Sequence, residues 1–170
     1  MIRTVLSAAA ATTALLASVL TTATAAPERV ATYRDWFVFV NDTNEGRVCY
    51  AVSDPEESSP RSARHGEVYM MVATWANGAA KEQPSFMAGY QLRDTPEPQL
   101  RIGADKWDLF TSANEGFVEA ERDEERLVAA MRRGADMRLS AVSERGTATE
   151  YTFSLLGISN ALDRAARECQ

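Results

Sequence analysis

Two cysteines constrain this chain more than any other feature: Cys49, inside the strand-like RVCYAVS, and Cys169, next to last in TEYTFSLLGISNALDRAARECQ. A bond between them would tie a final helix onto an early strand and close a loop spanning most of the domain. Pairing is expected if the chain is exported, because oxidising compartments favour disulfides and an even count leaves no orphan thiol. Chain entropy would make such a bridge worth about 4–5 kcal/mol. Two buried reduced thiols are the alternative. Redox catalysis is a third reading, against which stand the lack of a C-x-x-C motif and the apolar setting of Cys169.

Export is what the opening residues suggest. MIRTVLSAAAATTALLASVLTTATAAPERV carries one positive charge at Arg3, then an uncharged Ala, Leu and Thr run, then an A-x-A site at Ala23, Thr24 and Ala25. Residues 1–25 are expected to form a signal peptide cleaved after Ala25, since cutting after Ala26 would set Pro27 beside the scissile bond. An uncleaved membrane anchor is the alternative, but the run is weakly apolar and marginal in length for a bilayer. No cysteine lies near the cleavage point to accept a lipid. Residues 26–170 then match one domain long enough to bury a core.

Beyond the leader no run approaches the roughly 18 apolar residues of a membrane helix, so no transmembrane segment is expected in the mature chain. With 18 basic and 24 acidic residues the formal net charge is −6, and losing Arg3 makes it one unit more negative. Such a surface repels a phosphate backbone, which sets nucleic acid aside as a partner. Arg132 and Arg133 could form a local basic patch, but they fall at the end of an expected helix, where positive charge favours the helix dipole.

The spacing of apolar residues predicts a mainly β chain. YRDWFVFV, residues 33–40, reads as a strand covered on both faces. In RVCYAVS, alternation puts Val48, Tyr50 and Val52 on one face and Cys49 and Ala51 on the other. The polar stretch 54–66 reads as an exposed loop. Further strands are expected at 67–75, 85–92, 99–103 and 106–110. The gaps between them are too short for crossover helices, so the pairing should be antiparallel. AERDEERLVAAMRR, residues 120–133, has acidic groups first, apolar groups next, basic groups last and Gly134 as a stop, the pattern of a short helix. Residues 137–143 and 147–155 form an expected hairpin. After Gly157, Ile158, Ala161, Leu162, Ala165 and Cys169 mark one face of an amphipathic helix, with Ser159 or Asn160 as its cap. The expected fold is an antiparallel β-sandwich-like domain with a short internal helix and a C-terminal helix packed on the sheet.

No residue pattern specifies a reaction. The single histidine, His65, lies in a Ser- and Arg-rich loop with no G-x-S-x-G elsewhere, and reads as a solvated loop residue. Asp105 with Asp108, or Glu115 with Glu119, could serve as carboxylate pairs, but no spacing singles them out. The acidic run Glu119, Glu121, Asp123, Glu124 and Glu125 lacks the glycine-punctuated pattern of a calcium loop and suits a helix N-terminus instead. Zinc-ligand spacing, phosphate loop and dinucleotide fingerprint are all missing. The expectation is therefore no catalytic residue, no metal ligand and no cofactor. Trp36, Trp75 and Trp107 could build a carbohydrate or peptide platform, but two of them sit within strand-like runs, which favours core packing.

The order of motifs carries a resemblance. WFVFV followed by a cysteine, EVYMMV, GYQL, LRIG, KWDLF, AAMRRG, MRLSAVSERGT, and YTFSLLGISNAL followed by a second cysteine together resemble the invasion-associated locus B family of exported bacterial proteins. The likeness spans nearly all of residues 26–170 and is densest from AAMRRG to Cys169, whereas the central loops carry little of it. It implies a compact β-sandwich-like domain in the periplasm or cell envelope of a Gram-negative bacterium, with members linked to virulence and host-cell entry, and it transfers no catalytic residue. The expected role is non-enzymatic contact with a protein or envelope component of unknown identity. The alternative is a periplasmic binding module for a small molecule or glycan, and an enzyme comes third.

Overall fold

The computed structural model describes residues 26–170. The expected leader, residues 1–25 with its cleavage point at Ala25, lies outside the described residues. In chain order the strands are β1 (Glu28–Tyr33), β2 (Trp36–Thr43), β3 (Gly46–Ser53), β4 (Glu57–Ser59), β5 (Tyr69–Trp75) and β6 (Gln83–Met87). They continue with β7 (Gln99–Ile102), β8 (Asp105–Asp108), β9 (Phe110–Ser112), β10 (Glu115–Phe117), β11 (Asp136–Val142) and β12 (Ala148–Ser154). Helix α1 (Glu121–Met131) precedes β11, and α2 (Ile158–Glu168) follows β12.

Two antiparallel sheets result. The larger runs β1-β2-β3-β5-β6-β10-β9 and the smaller β4-β12-β11-β7-β8. Their inner faces meet because every second residue is apolar: Trp36, Val38 and Val40 on β2, Met70 and Val72 on β5, and Phe86 on β6 oppose Leu100, Leu139, Tyr151 and Phe153. Phe86 and Tyr151 touch across the gap with ring centroids 5.7 Å apart. Helix α2 lies on β1, β2, β3 and β5 and shares the inner side of the larger sheet with the smaller one. Its Ile158, Ala161, Leu162 and Ala165 are buried. Helix α1 adds Leu127, Val128, Ala130 and Met131 to the same core.

The alternation expected for β3 holds. Cys49 and Ala51 face inward and are fully buried, and the Cys49 sulfur is bonded to Cys169, with Cα atoms 5.8 Å apart. Sequence spacing also placed the β11–β12 hairpin, both helices and the covered tail.

Several expectations of local structure differ, among them the 106–110 run, which is divided between β8 in the smaller sheet and β9 in the larger one. The run YRDWFVFV is not one strand covered on both sides: Arg34, at φ +56°, turns the chain between β1 and β2, and Phe37 and Phe39 remain partly exposed while Trp36, Val38 and Val40 are buried. The 54–66 loop contains β4, a three-residue edge strand paired with β12, whose polar residues show no apolar alternation. Neither Ser159 nor Asn160 caps α2. Gly157 takes that position in the left-handed region, and the Ser159 hydroxyl donates to the Arg132 carbonyl at 3.4 Å. The tryptophans follow the core-packing reading instead of the platform: Trp36 and Trp107 are core residues, and the Trp36 indole N–H donates to the Ser154 carbonyl at 3.0 Å.

Candidate functional site

The two outer faces of the sandwich differ in kind. Cross-strand partners project to the same side of a sheet, so the registers define rows. On the smaller sheet one row is Glu57, Thr152, Arg138, Arg101 and Lys106, and the next is Glu150, Ser140, Gln99 and Asp108. Every member is polar or charged, as expected of a face in water.

On the larger sheet one row is Phe37, Val52, Met71, Ser85, Phe117 and Phe110, crossing from β2 to β9. Beside it run Phe39, Tyr50 and Ala73 on one side and Tyr69, Met87 and Glu115 on the other. Phe39 stacks on Tyr50 at 5.5 Å and Phe110 on Phe117 at 5.4 Å. Most of these side chains are partly exposed, and Phe110 is 43% exposed. Both helices add their apolar residues to the buried core, and this face presents aromatic rings outward. Aromatic and aliphatic side chains thus line this face, most of them partly buried, where the opposite outer face is polar throughout.

Electrostatics follow from the same setting. Partial burial raises the Glu115 carboxyl above the usual glutamate range. It also raises the Tyr50 and Tyr69 phenols, and the charges of Glu115 and Glu67 push Tyr69 further in the same direction. Because the Glu115 shift is upward, its ionised form is disfavoured by folding, and the protein gains stability as pH falls through the folded value. Replacing it, as Glu115→Gln, is therefore expected to raise the denaturation midpoint at neutral pH. The difference should vanish once the pH drops below the ordinary glutamate range. Equal midpoints at neutral pH would show that Glu115 carries no such penalty.

The remaining sequence candidates scatter. His65 is not a freely solvated residue. It is half-buried, with Nε2 donating to the Pro60 carbonyl at 3.0 Å and Nδ1 accepting from the Tyr151 hydroxyl at 2.8 Å in the matching tautomer. Tyr151 also lies 3.0 Å from the Tyr90 hydroxyl, which is 2.6 Å from the Thr149 hydroxyl, so His65 ends a chain of hydroxyls with no carboxylate behind it. Burial, with Tyr90 adding to it, raises the Tyr151 phenol far above its ordinary range.

Asp105 and Asp108 sit exposed at opposite ends of β8, and Asp108 accepts from Gln99. Glu115 lies on the aromatic face, while Glu119 is exposed ahead of α1. Glu121, Asp123 and Glu124 form the first turn of α1, where Asp123 pairs with Arg126. Among the described residues no group of three or more His, Cys, Asp or Glu side chains is placed to hold a metal ion.

Arg133 is exposed, whereas Arg132 clamps three elements together. It pairs with Glu82 at 2.6 Å and Asp163 at 2.9 Å and donates to the Ser159 carbonyl. Burial works against its charge, but the bonds to Asp163 and Glu82 outweigh that and hold its pKa above the usual value. Nothing local in AAMRRG signals this role, because both acidic partners are distant in sequence.

Comparison with known proteins agrees with the fold and the motif order. No curated protein and no solved structure matches the chain. The family model described as Invasion associated locus B (IalB) protein matches residues 36–166, from the first residue of β2 into α2. That span takes in every strand but β1, all of α1 and most of α2, and the chain belongs to the invasion associated locus B family.

Proposed function

We propose that this protein is an exported, non-enzymatic component of the cell envelope that docks a protein partner on the outer face of its larger sheet. The observation that carries the reading is the contrast between the two outer faces, one built of charged rows and the other of partly exposed aromatic rows. A protein surface suits that face better than a membrane. Anionic lipid would call for a basic rim, and beside these rings stand one cation, Arg29 over Phe37, and the acidic Glu115 and Glu67, in a chain of net charge −6.

The disulfide supports export, since such bonds persist in oxidising compartments. It favours the periplasm or envelope, and the A-x-A pattern of Ala23, Thr24 and Ala25 supports cleavage after Ala25. A contribution to host-cell invasion rests on the family description. The rival reading, a periplasmic binding module for a small molecule or glycan, gains support from a cleft at the loop end of the sandwich.

Photo-crosslinkers placed at Phe39 and, separately, at Arg101 test the docking face in intact cells. The expected result is one stoichiometric partner captured from position 39 and none from position 101, with capture lost in a Met71→Glu background that retains the wild-type fold. Capture from the polar face, retention of the adduct in Met71→Glu, or a self-adduct in place of a partner would each overturn the proposal. N-terminal sequencing of the periplasmic fraction should read from Ala26; recovery only from the cytosol would overturn export.

A further inference from the structure

At the loop end of the sandwich the β4–β5 loop, the β6–β7 loop and the β11–β12 hairpin enclose a cleft of about 470 Å³. Arg64 comes from the first loop, Tyr90 and Gln91 from the second, and Glu144, Arg145 and Thr147 from the third. None of these residues belongs to the aromatic face. The volume falls in the range of small-molecule sites.

The cleft is built on a fixed floor. The Tyr90 hydroxyl is held 2.6 Å from Thr149 and 3.0 Å from Tyr151, and the Thr149 hydroxyl donates to the Ala141 carbonyl at 3.2 Å. The hairpin is tied to the β6–β7 loop by the Leu92–Ser143 bridge. Further ties are the Glu144 N–H to the Gln91 carbonyl at 2.9 Å and the Arg93 guanidinium to the Glu144 carbonyl at 3.1 Å. Such bonds place binding groups before a ligand arrives, which lowers the entropy cost of association.

Charge decides what fits. Arg64 and Arg145 both line the cleft, are exposed, and among the described residues have no carboxylate partner, and the one acid there, Glu144, has no basic partner. Two guanidiniums on a rim suit an oxyanion, which they hold by charge-assisted, bidentate bonds. A bare anion would fill little of the volume. The partly buried Tyr90 ring offers a flat wall for a sugar ring, with Gln91, Thr147 and Glu144 as hydroxyl partners.

We propose that this cleft binds a small anionic sugar, its carboxylate or phosphate held by Arg64 and Arg145 and its ring against Tyr90. The site is separate from the docking face, so either proposal can fail alone.

The test is an NMR titration of the mature, disulfide-bonded protein with galacturonate, a hexose phosphate and neutral galactose. Saturable shifts are expected at the amides of Tyr90, Arg145 and Thr147 with at least one anionic sugar, weakening as salt is raised. Galactose should give none. The double variant Arg64→Gln, Arg145→Gln changes exposed side chains and should weaken binding about tenfold or more, while Arg101→Gln, on β7 and outside the cleft lining, should leave it unchanged. The carboxylate and phosphate arms tell which anion the arginines prefer. No saturable shift with either anion, equal binding of galactose, or a double variant that binds as the wild type does would overturn the proposal.

Discussion

Removing the Cys49–Cys169 bridge is expected to cost about 4–5 kcal/mol of folding stability, the entropy lost by the unfolded chain when a loop of this length is closed. The two cysteines lie 120 residues apart, and the bond joins the last residues of α2 to the centre of the larger sheet. Cys49 is fully buried, so the comparison must separate the bond from the side chains around it. Cys49→Ala, Cys169→Ala and the double variant should lose nearly the same amount, because each breaks the same bond and alters little volume. Denaturant titration of oxidised wild type against the variants measures the loss. Hydrogen exchange then locates it: amides in the last turns of α2, tied to the sheet by the bridge, should lose protection before those of β11 and β12. A loss under about 1 kcal/mol, or uniform loss of protection, would mean that burial of Ile158, Ala161, Leu162 and Ala165 already anchors the tail.

How much of this was readable in the chain depends on the range of the interaction. The inward Cys49 and Ala51 and the outward Tyr50 and Val52 follow from strand period alone, and the α2 stripe from helical period. The turn between β1 and β2 was hidden because Arg34 is neither Gly nor Asn, so its positive φ has no local signature, and the aromatic residues after it continue the strand pattern. Strands β4 and β10 have three residues each and exist through their partners β12, β6 and β9. The same limit applied to the sites. Phe37 and Phe39 read as buried because an aromatic residue in a strand usually is, and which sheet face stays open is settled by the placement of the smaller sheet and α2, both later in the chain. His65 read as solvated because its partner Tyr151 is 86 residues away.

Those long-range contacts also connect stability with the proposed docking face. The face is one side of a single sheet whose other side holds Trp36, Cys49 and Met70. The β1–β2 turn that starts the aromatic run is held by the end of β12: the Asp35 N–H donates to the Leu156 carbonyl, and the Ser154 hydroxyl donates to the Asp35 carboxylate at 2.6 Å. Loosening the start of α2 would therefore disturb β2 and its Phe37 and Phe39 together.

Gly157 is where that loosening is best tested. It enters α2 at φ +97°, a conformation that an L residue adopts at a cost of roughly 1–2 kcal/mol. A Cβ there would also stand 2.0 Å from the Tyr33 carbonyl oxygen and 2.7 Å from its carbon, both backbone atoms that cannot rotate aside. Gly157→Ala is thus expected to cost at least about 3 kcal/mol, more than its backbone term, because α2 must move away from β1. Gly103 supplies the control. It has φ +58° but nothing within 4 Å of an added Cβ, so Gly103→Ala should cost only about 1 kcal/mol. The difference between the two substitutions in denaturant unfolding measures the contact between α2 and the β1–β2 turn. If that contact is real, Gly157→Ala should also reduce capture from Phe39, with the disulfide intact. Equal costs at the two glycines would show that α2 enters the fold without touching Tyr33, and the mechanical link from tail to docking face would fall.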